Sequence, residues 1–502
     1  MRGVYSSKAK GRHDVFRAVA KLAFDGADLK RIDEIPYELV RGEESQSYDN
    51  IFLERAVIGE RLRVALGLPI RDASEYKLIS DGVENAATEE SYYTPPLINI
   101  IKFACHACPD HVTVVTNLCQ NCIEHPCREV CPKHAITLGN RQSVIDRDKC
   151  VNCGRCIAAC PYNAIIRMDR PCMKACGMGA IREDENGRAE IDYSKCVACG
   201  MCLVSCPFSA IVDKSQIYQT IMALKDTDTP VYAVVAPSFV GQFGPKSDQQ
   251  HLRAALKALG FADMVEVAVG ADLCTIQEAR DFLREVPDKI PFMGTSCCPA
   301  WSVMAKTMFP KYANCISMTF TPMVFAARMT KKQHPGCKTV FIGPCAAKKL
   351  EARRRTVRSE VDYVLTFEEM SGIFDAAGIS FDNLSMEPER EDSTADGKGF
   401  ATGGGVAKAV IDRIHTISPG REVPTARAEG LADCRKMMQL AVAGKYNGYL
   451  LEGMGCPGGC IGGSGVLQDV KKSAASLQKQ MTASQKKKSG ESGYQDYMDL
   501  IE

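Results

Sequence analysis

One unit recurs four times in this chain: Cys131-Pro-Lys-His-Ala-Ile, Cys160-Pro-Tyr-Asn-Ala-Ile, Cys176-Gly-Met-Gly-Ala-Ile and Cys206-Pro-Phe-Ser-Ala-Ile. Ahead of three copies stand clustered thiols, Cys119, Cys122 and Cys127, then Cys150, Cys153 and Cys156, then Cys196, Cys199 and Cys202. Sixteen of the 25 cysteines fall between Cys105 and Cys206. Thiols this dense, in an internal repeat, are committed either to bridges or to metal. A disulfide framework suits a small secreted domain. Here the chain has 502 residues, and its start, Met1-Arg2-Gly3-Val4-Tyr5-Ser6, lacks the apolar stretch of a secretory signal. A reducing, cytoplasmic setting and metal ligation are therefore expected.

The last two thiol groups obey C-x2-C-x2-C-x3-C-P, the bacterial ferredoxin run, in which three thiolates bind one 4Fe-4S cubane and the fourth reaches across to another. By that crossing rule Cys150, Cys153, Cys156 and Cys131 hold one cluster, and Cys119, Cys122, Cys127 and Cys160 a second, despite the wider gap before Cys127. Cys196, Cys199 and Cys202 pair with Cys176, leaving Cys105, Cys108, Cys172 and Cys206 for a fourth. Zinc is the competing reading of paired C-x2-C, but zinc requires neither a third evenly spaced thiol nor a following proline. Four clusters in a row have little purpose except moving electrons.

Around this stretch the composition is ordinary, 45% hydrophobic and 25% charged, and the length suggests about three domains. Lys plus Arg is 62 against 61 Asp plus Glu, so no global basic field exists to hold nucleic acid. No run approaches the ~18 to 20 apolar residues of a membrane span. Residues 1–100 carry no cysteine and read as helical, with apolar residues at helical spacing from Arg55 to Leu68, and the turn Tyr92-Tyr93-Thr94-Pro95-Pro96 closes them. An α+β ferredoxin-like cluster domain is expected over 101–215. From 225 to 470 apolar runs at Val231–Val235, Met264–Val269, Thr339–Gly343 and Tyr449–Leu451 alternate with helical patterns, which predicts a parallel-rich α/β domain in two lobes flanked by helices. The tail, 471–502, is rich in Lys, Ser and Gln and reads as a solvated helix or mobile end. Thr402-Gly-Gly-Gly405 lacks the Gly-Lys-Ser/Thr ending of a phosphate-binding loop and fails G-x-G-x-x-G, so no nucleotide site is expected.

Of the nine remaining cysteines, five lie in three short segments: Thr295-Ser-Cys-Cys-Pro-Ala-Trp301, Gly343-Pro-Cys-Ala-Ala-Lys-Lys-Leu-Glu351 and Glu452-Gly-Met-Gly-Cys-Pro-Gly-Gly-Cys-Ile-Gly-Gly463. Each cysteine sits at a glycine- or proline-rich turn beside an apolar run, where α/β folds gather functional side chains. Four thiolates converging from three loops suffice for one more cubane. In these segments the chain resembles the iron-only (FeFe) hydrogenases, whose motifs T-S-C-C-P-x-W, P-C-x-x-K-x-x-E and E-x-M-x-C-x-x-G-C-x-x-G occur in the same order.

The resemblance implies an H-cluster, a 4Fe-4S cubane joined through one cysteine sulfur to a diiron unit carrying CO, cyanide and a bridging dithiolate, at which hydrogen is made or split. It implies cubane ligation by Cys298, Cys345, Cys456 and Cys460, with Cys460 as the bridge. Cys297 would pass protons to the bridging amine, a role suited to a thiol with an ordinary pKa near ~8.5. Lys348 matches the family lysine that donates to a cyanide, Ala236-Pro237-Ser238 the segment lining the diiron pocket, with Ser238 as a donor, and Met454 the methionine beside the distal iron. An ungapped match from Gly270-Ala-Asp-Leu273 places the outer proton route on Glu278, Ser317 and Asp281, whose bland reading is a solvated helix face. Departures are Gly343, where well-known members have methionine, and Met323, where they have glutamine; both suggest group B. The resemblance further implies ferredoxin or a similar carrier as electron partner, H2 and protons as substrates, and dedicated maturation enzymes. A hydrogen or redox sensor on the same domain is the alternative, disfavoured by the retained Cys297. A third reading, an iron-sulfur assembly protein without the diiron unit, is disfavoured by the complete set of motifs.

Overall fold

The computed structural model describes residues 6–45, 47–72, 74–86, 95–354 and 357–501. Most of the polar start, 1–5, and Tyr92–Thr94 of the turn signal lie outside the described residues. Among those described, no helix is long and apolar enough to cross a membrane.

The repeat unit folds the same way each time. The residue before its alanine, His134, Asn163, Gly179 or Ser209, is left-handed (φ 48°, 51°, 63° and 52°). That turn swings the alanine amide back onto the thiol: Ala135 N–H donates to Cys131 Sγ at 3.3 Å, Ala164 to Cys160 at 3.4 Å and Ala180 to Cys176 at 3.3 Å. The isoleucine then opens a strand with its side chain buried, at Ile136–Leu138, Ile165–Met168, Ile181–Glu183 and Ile211–Asp213. Each strand pairs antiparallel, with Ser143–Ile145, Val112–Val115, Ala189–Ile191 and Ile98–Ile100 respectively.

Beyond residue 225 two parallel sheets form. In the first, Asp263–Glu266, Val231–Val235, Lys338–Gly343 and Tyr363–Thr366 lie side by side, all parallel. Their near-continuous apolar runs suit strands covered on both faces. In the second, Met293–Gly294, Leu450–Met454 and Thr425–Glu429 are parallel. The expected strand Met264–Val269 is corrected at its end. It stops at Glu266, and Val267 opens the buried helix Val267–Glu285, because an apolar run with no turn residue reads alike in either state.

The N-terminal region carries helices Ser7–Asp25, Ile35–Leu39, Ile51–Ala65 and Val83–Ala86. The first lies against Phe367–Ala376, where a Cβ on Gly372 would stand 2.7 Å from that of Phe16. The C-terminal tail is not a mobile end. Helix Val470–Ala483 buries Ser473 and Leu477, and the Lys486 and Lys487 carbonyls accept from the amides of Ala395 and Asp396. Lys471, Lys472, Gln478 and Lys479 turn outward, which is why composition alone reads as solvated.

Candidate active site and cluster-binding cysteines

Three strand ends supply the site. Thr295–Cys298 follows strand Met293–Gly294 and leads into helix Pro299–Met308; Trp301 inside that helix donates its indole N–H to the Thr295 carbonyl at 3.0 Å, pinning the loop. Cys345 follows Lys338–Gly343, and Cys456 and Cys460 follow Leu450–Met454. Close approach explains the glycines: a Cβ on Gly453 would lie 2.2 Å from the Trp301 ring, and one on Gly463 2.3 Å from the Pro344 carbonyl. The loops converge on a cavity lined by Cys297, Cys298, Cys345, Cys456 and Cys460 together with Lys348, Ser238, Met323, Met454, Ala236 and Pro237. Every residue that the sequence placed around the diiron unit thus borders one cavity.

Its donor set fits a metal cluster. Burial pushes the Cys345 thiol up to about 11 and that of Cys460 up to about 12, and holds those of Cys456 and Cys297 well above the usual range. Bare thiolates would be costly here, so cations must accompany deprotonation, as metal ligation supplies. Ser238 is 2% exposed, and its hydroxyl has no hydrogen-bond partner among the described residues. A buried orphan donor facing the cavity fits an acceptor ligand there.

Lys348 borders the cavity and is held by the protein. Its ammonium contacts Glu351 Oε2 at 2.6 Å, Thr321 Oγ1 at 3.1 Å and the Cys297 carbonyl at 3.3 Å, using all three hydrogens within the protein. The final glutamate of the second motif is the counter-ion of its lysine. Gly343 also has a local cause: its missing Cβ would fall 2.5 Å from the Phe341 ring. Phe341 lines the cavity in the space that a side chain at 343 would need.

A polar file runs outward from Cys297. Glu278 is fully buried, and burial pushes its carboxyl up to about 7. Its Oε1 accepts from the Ser296 amide at 2.8 Å and the Ser296 hydroxyl at 3.0 Å. Ser317 faces the carboxyl and moderates its shift, yet closes no full hydrogen bond to Oε2, which has no partner among the described residues. Asp281 stands one turn further, accepting from Thr319 Oγ1 at 3.1 Å and from Arg284 at 2.6 Å beside solvent. Sequence reasoning missed Ser296 and Thr319, although Ser296 lies inside the first motif and Thr319 two residues from Ser317. Glu452 adds an unforeseen closure: its carboxylate accepts from the amides of Gly404 and Ala407, both at 2.7 Å, filling the helix N-terminus behind Thr402–Gly405.

Twelve of the sixteen upstream cysteines lie beside the other members of their expected groups. The first C-x2-C pair of each group carries a left-handed residue at its second gap position, Ala107, Asn121, Asn152 and Ala198 (φ 43°, 48°, 52° and 52°), so Cys105 and Cys108 share the geometry of the others. Cys131, Cys150, Cys153 and Cys156 line one small cavity. Cys127 and Cys160 share a small core with Cys131 and Cys156. Cys108 and Cys172 each lie within electrostatic reach of Cys105 and Cys206. Cys199 and Cys202 are similarly placed beside Cys176 and Cys196, and Cys199 also neighbours Cys345 and Cys456 of the large cavity.

Comparison with known proteins agrees with this geometry. Residues 229–464 match the family described as iron only hydrogenase large subunit, C-terminal domain; residues 119–169 match an Fe-S cluster-binding domain of the LdpA type, and 189–212 a 4Fe-4S binding domain. Iron hydrogenase 1 of Clostridium pasteurianum is 27% identical over 65% of this chain and 65% of its own length. The NADP-reducing hydrogenase subunit HndD of Solidesulfovibrio fructosivorans is 25% identical over 63% of this chain and 55% of its own. The periplasmic Fe hydrogenase large subunit of Nitratidesulfovibrio vulgaris is 27% identical over 42% and 61%. The chain thus spans less than two thirds of the length of each of these relatives. A solved FeFe-hydrogenase HydA1 variant from Chlamydomonas reinhardtii is 22% identical, covering 57% of this chain and 93% of that one, with a TM-score of 0.48. Residues 229–464 are thus similar to the iron-only hydrogenase large-subunit family, and all three of their cysteine segments close on one cavity.

Proposed function

We propose that the chain is a hydrogenase, interconverting two protons and two electrons with H2 at an H-cluster held by Cys298, Cys345, Cys456 and Cys460, Cys460 bridging to the diiron unit. The observation that carries this reading is the single cavity on which those four thiols, Cys297, Lys348 and the unpartnered Ser238 hydroxyl converge. When bound, the diiron unit supplies the hydride chemistry that no side chain offers. The protein supplies the rest. Cys297 holds the proton nearest the reacting centre, and Glu278, Ser317 and Asp281 carry it towards solvent, with Ser296 fixing Glu278 and Thr319 fixing Asp281. Ser238 and Lys348 orient cavity ligands, Met323, Met454 and Phe341 keep water out, and Ala236-Pro237 shapes the wall.

Cys176, Cys196, Cys199 and Cys202 would hold the accessory cluster nearest Cys345, and the four accessory clusters would supply electron transfer from ferredoxin or a similar carrier. The diiron unit would come from dedicated maturation enzymes, and Gly343 and Met323 support the group B reading. The cytoplasm is the proposed setting, supported by 25 unpaired cysteines, which persist where thiols are kept reduced. The test is anaerobic hydrogen release from a reduced low-potential dye, after loading purified protein with clusters and a synthetic diiron unit. Rapid release that collapses in Cys297→Ala supports the reading. Weak release with CO and cyanide infrared bands in place would overturn it.

A further inference from the structure

The N-terminal helices hold the turn after one cluster cysteine by hydrogen bonds. Lys8, on the first helix, donates to the carbonyls of Leu203 at 2.9 Å, Val204 at 2.9 Å and Cys206 at 2.7 Å, where helix Met201–Ser205 ends. Arg61, on the helix Ile51–Ala65, donates to the Ser209 carbonyl at 3.0 Å and to the Tyr48 hydroxyl at 2.8 Å; that hydroxyl in turn donates to the Phe208 carbonyl at 3.2 Å. Three residues from the N-terminal region thus grip the turn that follows Cys206.

Among the described residues neither cation has an ion-pair partner, although the Glu368 carboxylate acts on Lys8 from further away. The three bonds of Lys8 all go to carbonyls, and those of Arg61 to a carbonyl and a phenol. Arg61 is 8% exposed, and its Nε is buried without a partner among the described residues. Arg12 on the same first helix contrasts with them, since it is paired with Glu368 at 2.8 Å and with Asp213. A buried cation without a counter-ion is costly, and natural structures retain one where something negative compensates it. A thiolate-ligated cubane on Cys105, Cys108, Cys172 and Cys206 carries net negative charge and lies beside both.

We propose that the N-terminal helical region caps the cluster held by Cys105, Cys108, Cys172 and Cys206, and that Lys8 and Arg61 raise the reduction potential of that cluster selectively. The proposal rests on the cofactor reading above. Cluster potential follows local charge, hydrogen bonding and exposure. Burial of Cys172 and Cys206 favours the less charged, oxidised form, whereas nearby cations favour the reduced one. Cys172 also adjoins Cys202 of the group next to the large cavity. An electron held here waits one step short of that group, so a reaction needing two electrons can be supplied without a second encounter with the donor.

The test is a mediator-controlled redox titration of the anaerobic, cluster-loaded full chain, followed by electron paramagnetic resonance, which reads each cluster without reference to turnover. In Lys8→Met the midpoint of one accessory cluster shifts to lower potential, in Lys8→Met with Arg61→Met it shifts further, and the others stay. Lys8→Arg, which keeps the charge, restores the wild-type value. Midpoints unchanged at full iron content, or all moving together, would overturn the proposal. Lys8 is half exposed, so Lys8→Met alone carries the test if the Arg61 variant does not fold. Cys172→Ser distinguishes the underlying reading: iron content unchanged in that variant would mean that no cluster sits there, and the cap would fall with it.

Discussion

Ser296 gives both its backbone amide and its hydroxyl to a single oxygen of Glu278, at 2.8 and 3.0 Å, while the other oxygen has no partner among the described residues. The carboxyl is thereby fixed at one end and left open at the other, on the Ser317 side. A group so held can take a proton and release it without losing its place. Glu278→Gln keeps the acceptor oxygen but cannot titrate, so hydrogen turnover should fall by about 10²-fold or more. Cluster spectra should remain as in wild type. A rate within a few-fold of wild type would remove Glu278 from the proton route.

Buried acids give the fold a pH dependence of definite sign. Burial pushes Glu278 and Asp272 up to about 7 and Glu452 up to about 6. A carboxyl with a raised folded-state pKa contributes its full stability below the unfolded value, near ~4, and loses it as pH rises through the folded value. The cluster-loaded protein should therefore melt at lower temperature at pH 8 than at pH 5. Asp272→Asn should reduce that difference, because Asp272, bonded to the Thr394 amide and hydroxyl, no longer ionises in the interior. An unchanged slope in the variant would show that Asp272 is not a source of it.

Lys349 has no accessible surface and bridges Asp213 Oδ2 at 2.8 Å, Glu369 Oε1 at 2.7 Å and the Lys214 carbonyl at 2.7 Å. It joins the last strand of the cluster region to helices on either side of the site. Removing one partner of a buried ion pair leaves the other unpaired, at a cost of about 3 to 5 kcal/mol. Lys349→Met should lose that much stability in denaturant titration, whereas Lys436→Met, whose Asp433 partner is solvated, should change it by less than about 0.5 kcal/mol. Equal effects would contradict the assignment of the network.

Much of this was legible in the sequence because ligand geometry is local. The repeat unit needs a left-handed residue before its alanine, and His134, Asn163, Gly179 and Ser209 supply it, so spacing alone implied the turns. The three motif loops were likewise readable, since Gly453 and Gly463 exist to let Trp301 and Pro344 approach. What stayed hidden depends on distant pairing. Nothing in the local pattern ties Lys8 to the turn after Cys206 or Ser296 to Glu278, and a lysine-rich tail reads as solvated until Leu477 finds its pocket. The end of strand Asp263–Glu266 was lost for the opposite reason, because Val267–Val269 is buried and apolar whichever state it adopts.

Gly343 and Phe341 are a packing pair, and their test separates sterics from chemistry. With 2.5 Å between a built Cβ and the ring, Gly343→Ala should cost about 1 to 3 kcal/mol through overpacking. Phe341→Ala alone should cost about 3 to 5 kcal/mol by leaving a cavity. If the ring occupies the space that a larger residue at 343 would fill, Gly343→Met combined with Phe341→Ala should be more stable than the sum of the single changes predicts, by 0.5 kcal/mol or more, in a double-mutant cycle. Additive effects would mean that the two positions are independent and that Gly343 needs another explanation.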